Sequence, residues 1–153
     1  MTISAFPPSL VLILGALLLP FAGQRLRPAL ILTLPLVALW LVWRVEDGPA
    51  LMAPFLDYEL VPLQGDRLSR LFATIFTIMA FAGGLFALNR NKVIELVAAF
   101  IYAGSAVGVS MAGDLITVFV FWEVMAVAST LVIWSMGTEQ AYKSSLRYVM
   151  VHL

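Results

Sequence analysis

Long apolar runs separated by short polar breaks dominate this chain. Residues 3–22, 28–43, 71–88, 93–112 and 115–136 are each apolar or small almost throughout. A helix rising about 1.5 Å per residue crosses a ~30 Å hydrocarbon layer in about 20 residues. These runs therefore predict five transmembrane helices over those spans. The first has no basic residue before it and no clear small-x-small cleavage site, so it reads as a retained helix rather than a signal peptide. The sequence GQRLRP at 23–28 ends that helix and starts the second. Pro35 should kink the second helix, and Trp40 and Trp43 lie near its far end, as interfacial aromatics do. The turns 89–92 (NRNK) and Gly113-Asp114 separate the third, fourth and fifth spans, and Gly137 closes the fifth. A polar stretch at 138–147 leads into 148–153, which looks like the opening of a sixth helix.

One long polar stretch, 44–70, interrupts the pattern. It holds Glu46, Asp47, Asp57, Glu59 and Asp66 and is punctuated by Gly48, Pro49, Pro54, Pro62 and Gly65. It reads as an outer loop, with 58–63 able to pair as a short strand on the membrane surface. With the N-terminus outside, the inner loops carry Arg25, Arg27, Arg90, Lys92, Lys143 and Arg147, leaving Arg44, Arg67 and Arg70 outside. The positive-inside rule favours that orientation. The fold class expected is all-α: one polytopic membrane domain, 1–153, of five helices plus the start of a sixth.

Composition agrees with this and narrows the chemistry. The chain is 62% hydrophobic and 12% charged, where soluble domains carry roughly a quarter charged residues. It reads as an integral, multi-pass protein of a membrane such as the bacterial inner membrane. A formal net charge of zero gives no reason to expect nucleic acid as a partner. There is no cysteine and one histidine, His152, so neither a metal site nor a cofactor is expected. No nucleophile–base pair or hydrolytic site is visible.

Glu123 is the one ionisable side chain within the fifth apolar run, close to its middle. A charged carboxylate at that depth costs on the order of 2.5–3.5 kcal/mol on insertion scales. It is expected to face protein or water, to have a partner, or to hold a proton. Desolvation raises a carboxyl pKa and a nearby cation lowers it, so a group poised between the two can load and release a proton near neutral pH. No lysine or arginine falls inside the spans, so a facing cation must come from another chain or from sequence beyond these residues. The plainer role is a hydrogen bond in helix packing, with Thr130, seven residues on, able to orient it. Asp114 is placed to cap the fifth helix, and at the outer mouth it could also gather protons. Nine residues put it on roughly the opposite helix face from Glu123. Glu95 should complement the macrodipole of the fourth helix. Gly104 and Gly108 form a GxxxG suited to close helix packing, as does Gly83-Gly84 in the third. Glu139, Lys143 and Arg147 make an i,i+4 ladder at the inner surface. Lys143 and His152 are candidate members of a proton relay.

The segment GDLITVFVFWEVMAVASTLVIW (113–134) resembles the fifth-helix signature of the antiporter-like subunits of respiratory complex I. The same family includes the D subunits of Mrp-type sodium/proton antiporters and membrane-bound hydrogenases. The shared pattern is a polar start, an aromatic pair (here Phe121-Trp122), a glutamate and an apolar tail. AYKSSLRYVMVHL (141–153) is similar to that family's lead into its sixth helix, and QGDRLSRLFATIF (64–76) to the segment leading into its third. The resemblance covers about the front third of a usual family member. It implies that Glu123 is a protonatable glutamate paired with a lysine on a later helix, supplied by other membrane subunits or by sequence beyond these residues. The function implied is part of a multisubunit complex that translocates protons or monovalent cations, as an antiporter or with a redox partner. The alternative is a structural or assembly subunit with no transport of its own.

Overall fold

A computed structural model describes residues 6–89 and 92–152. The start of the first expected span, the middle of the 89–92 turn and the final residue, Leu153, lie outside the described residues.

Among the described residues, six helices and one hairpin follow in the order α1 (Pro8–Leu18), α2 (Arg27–Val42), β1 (Gly48–Phe55), β2 (Tyr58–Gly65), α3 (Arg67–Ala87), α4 (Val93–Met111), α5 (Leu115–Trp134) and α6 (Glu139–His152). Three of them, α3, α4 and α5, are long and apolar enough to cross a membrane. The expectation of five such helices is not confirmed. Helix α1 has 11 residues and α2 has 16. At ~1.5 Å per residue these reach about 16 and 24 Å, short of a ~30 Å layer. Proline sets where both begin: Pro8 and Pro28 occupy the first positions of their helices, where the missing N–H leaves no bond unmade. Helix α2 runs on through Pro35, which is fully buried.

The all-α expectation is corrected by a two-stranded sheet. The polar stretch folds as an antiparallel hairpin in which Gly48 pairs with Gly65 and Phe55 with Tyr58. Two register shifts, between Pro49 and Leu51 and between Leu51 and Ala53, accommodate residues that cannot sustain a regular ladder. Leu56, at the tip, takes a positive φ of 55°. Past the hairpin, α3 begins at Arg67, four residues before the expected 71. A capping box starts it: Ser69 N donates to Asp66 Oδ1 at 2.6 Å, and Asp66 N donates to Ser69 Oγ at 2.9 Å. Arg70, in the same turn, donates to the Val45 carbonyl at 2.7 Å and pairs with Asp47 at 2.7 Å. The first turn of α3 is thereby fastened to the chain leaving α2.

Helices α1 to α4 close on one another, α1 against α2, α2 against α3, α3 against α4 and α4 back against α1. The apolar core lies among them: Leu12, Ala16 and Leu19 at α1, Ile31, Ala38 and Val42 of α2, Ala73 of α3, and Leu96, Phe100, Val107 and Met111 of α4. Val45 and Leu63 extend it to the base of the hairpin. Helix α5 packs on α4 from outside this ring, and α6 packs on α5.

Candidate functional site

Two glycines on α4 decide how α5 is seated. They stand four residues apart and on the same face, yet they receive different neighbours. A Cβ at Gly104 would meet Ser9 O of α1 at 2.9 Å and Leu12 Cβ at 3.0 Å. A Cβ at Gly108 would meet the ring of Phe121 on α5 at 2.5 Å. The expected packing role of the GxxxG is thus divided, with Gly104 admitting α1 and Gly108 admitting α5.

Phe121 in the Gly108 notch fixes the rotation of α5. Glu123 follows two residues later, about 200° further around the helix. Anchoring the ring on α4 therefore turns the carboxyl away from it. Glu123 is half-buried and shares its side of α5 with Ile116, Phe119, Val120 and Val127, all of them exposed large apolar residues. Only Thr117, Ala126 and Ala128 of this helix are buried. Glu123 accordingly sits beside a wide apolar surface that the four-helix core leaves uncovered. Among the described residues no hydrogen bond or ion pair joins it to another side chain. Thr130, expected as an orienting partner, instead donates to its own helix at Ala126 O, 2.9 Å away. Ser129 does the same to Met125 O. Hydroxyls in an apolar helix take the nearest spare carbonyl lone pair when no better acceptor is in reach.

Asp114 caps α5 as expected, with Thr117 N donating to Oδ1 at 2.8 Å. It also does something the sequence did not reveal. Its Oδ2 accepts from Thr117 Oγ1 at 2.6 Å and from Val61 N of β2 at 2.8 Å. The adjacent Gly113 N donates to Val61 O at 2.9 Å. Both backbone polar groups of Val61 are thereby taken up by the α4–α5 turn, and the hairpin is docked over one end of α5. Burial pushes the Asp114 carboxyl up, but the Thr117 hydroxyl and the N–H groups of Thr117, Val61 and Ile116 together hold it below its ordinary 3.8. Hydrogen bonds donated to a carboxylate favour the charged form.

The other candidates lie apart from Glu123. Lys143 pairs with Glu139 at 2.8 Å, both largely exposed, which is one rung of the expected ladder. His152 is exposed at the end of α6, stacked on Tyr148 with ring centroids 3.9 Å apart, its Nδ1 3.1 Å from Tyr148 O. Glu95 stands in the first turn of α4, where its charge complements the helix dipole. At the end of the bundle away from the hairpin, Lys92 Nζ donates to Ser135 O at 3.4 Å, linking the start of α4 to the end of α5. No hydrogen bond or ion pair joins Asp114, Lys143 or His152 to Glu123 among the described residues.

In an alignment 92 residues long that covers 54% of this chain, it is 33% identical to the D subunit of the Na(+)/H(+) antiporter of Alkalihalophilus pseudofirmus. The match spans 19% of that protein's length. No family model matches the chain. Partial similarity to an antiporter subunit thus accompanies three helices capable of crossing a membrane.

Proposed function

We propose that this chain forms the N-terminal portion of a membrane subunit in a multisubunit complex that translocates protons or monovalent cations, with Glu123 as the protonatable carrier. The observation that carries this reading is the position of Glu123, midway along α5 on the side the four-helix core leaves open. A carboxyl against bare hydrocarbon is costly, and a cationic companion on the covering helix would relieve that cost. The open face of α5 is where such a helix would pack, bringing a lysine to Glu123. Loading and release of the proton then follow from how closely that lysine approaches and whether water reaches the pair. Similarity to a subunit of an Na(+)/H(+) antiporter supports the same class of activity and the same kind of membrane partners.

In the assembled complex, Glu123→Gln keeps the shape of the side chain and removes its charge. Coupled ion transport should be lost while the complex still assembles at normal yield. Undiminished pumping by this variant would exclude Glu123 as carrier. A structural subunit is the second reading, favoured by the uncovered apolar stripe of α5, which suits packing against another helix. On that reading Glu123→Gln leaves transport intact and Glu123→Leu, which removes any interhelical hydrogen bond, lowers the yield of complex.

A further inference from the structure

A groove of about 600 Å³ runs between α3 and α4, on a different side of α4 from the Phe121 notch. Its walls are apolar, among them Phe76, Met79 and Phe86 of α3 and Leu96 and Phe100 of α4, with Met79 and Phe86 strongly exposed at its rim. Lys92 and Glu95 line its end away from the hairpin. The floor is open because Gly83 contributes no side chain, and a Cβ built there meets nothing within 4 Å.

Its dimensions point to the occupant. Along α3 the lining runs over residues 76–87, about 16 Å at ~1.5 Å per residue. That is about half of a ~30 Å hydrocarbon layer. A transmembrane helix needs a surface across both leaflets, whereas this groove occupies one and ends in charge. One leaflet deep, apolar inside and charged at the membrane edge is the profile of a phospholipid. Among the described lining residues, the two charges also select among headgroups. The exposed Lys92 ammonium spends one of its three N–H groups on Ser135 O, at 3.4 Å, and keeps two to complement a phosphate. Glu95 close by disfavours a headgroup bearing two negative charges. A carboxylate accepts hydrogen bonds from a primary ammonium but not from a trimethylammonium, which has no N–H. We propose that the α3–α4 groove binds a phospholipid with a phosphoethanolamine headgroup, one acyl chain lying between the helices, the phosphate on Lys92 and the ammonium on Glu95. This site is independent of any role for Glu123.

The test uses the full chain in phosphatidylcholine vesicles carrying a trace of phosphatidylethanolamine with a photoreactive acyl chain. Labelled peptides are mapped by mass spectrometry. Label should concentrate on the groove residues of α3 and α4, several-fold above α2. Gly83→Leu fills the groove at a position with room for a side chain, so labelling should fall to the α2 level while helix content stays unchanged. Unlabelled phosphatidylethanolamine should compete several-fold better than phosphatidylglycerol or phosphatidylcholine, and Lys92→Gln or Glu95→Gln should erase that preference. Uniform label over α2, α3 and α4, label that survives Gly83→Leu, or equal competition by the three lipids would each overturn the proposal. So would loss of groove labelling in the assembled complex together with cross-links from the groove to another chain, since a partner helix would then be the occupant.

Discussion

Asp114 does two jobs with one carboxylate, capping α5 through Thr117 and holding the hairpin through Val61. Asp114→Ala removes the cap, a loss of roughly 0.5–2 kcal/mol, and strands the Val61 N–H, at about 1–3 kcal/mol for an unsatisfied donor. Hydrogen–deuterium exchange should therefore quicken at Val61 and Thr117 together, while amides in the middle of α4 keep their protection. Acid should act through the same group. Because the folded carboxyl is held below its ordinary 3.8, its contribution is complete above that value and is lost as the pH falls through the lower, folded value. Protection at Val61, corrected for the intrinsic pH dependence of exchange, should be flat from neutrality down to about 3.8 and decline only below it. Asp114→Asn keeps an acceptor oxygen without the titration and should abolish that decline. A decline centred well above 3.8 would show that another group governs the docking.

At the scale of elements, α4 organises the molecule, and its glycines should tolerate added bulk less well than those facing open space. Gly104→Ala drives a methyl group against the Ser9 carbonyl, a backbone atom that cannot swing aside. Overpacking of this kind costs typically about 1–3 kcal/mol. Gly83→Ala on α3, which meets nothing, should be close to neutral. Thermal unfolding in detergent compares the two directly, and equal midpoints would refute the assigned contacts. The apolar runs made α4 and α5 legible to within two residues of their ends, because long uninterrupted hydrophobic stretches admit little else. The hairpin was legible only as a possible strand at 58–63. Pro49, Pro54 and Pro62 argue against a ladder, and the register shifts that absorb irregularity leave no alternating pattern to read. The early start of α3 was written in Asp66 and Ser69, three residues apart, but that cap lies ahead of the apolar run. Glu123 stood out as an ionisable group in an apolar helix, whereas its outward orientation did not. That orientation depends on which α4 notch Phe121 enters, a tertiary fact with no local signature.

At the scale of the whole molecule, contacts sort the turns into two ends. The hairpin lies over Gly113 and Asp114 through Val61, while Lys92 reaches Ser135 at the other end, close to Gly137 with its left-handed φ of 70°. If α3, α4 and α5 cross the bilayer, Asp57 at the hairpin tip and Gly137 after α5 belong to opposite faces of the membrane. Basic residues decide which is which. Lys92, Lys143 and Arg147 gather at the Gly137 end, whereas Arg44, Arg67 and Arg70 at the hairpin end lie among five acids. By the positive-inside rule, the hairpin is then expected on the outer face. The chain has no cysteine, so single-cysteine variants report without background. In intact cells a membrane-impermeant maleimide should label Asp57→Cys and spare a cysteine introduced at Ser144, an exposed position on α6. Permeabilisation should then expose the second site. Labelling of both in intact cells would mean that these helices do not separate the two ends by a bilayer, and labelling of the Ser144→Cys variant alone would invert the molecule. With the hairpin outside, Asp114 stands at the outer end of α5, and Glu123 lies about 14 Å deeper at ~1.5 Å per residue. That is close to the midplane of a ~30 Å layer, the depth at which an uncompensated charge is least tolerated and a partner helix has most to contribute.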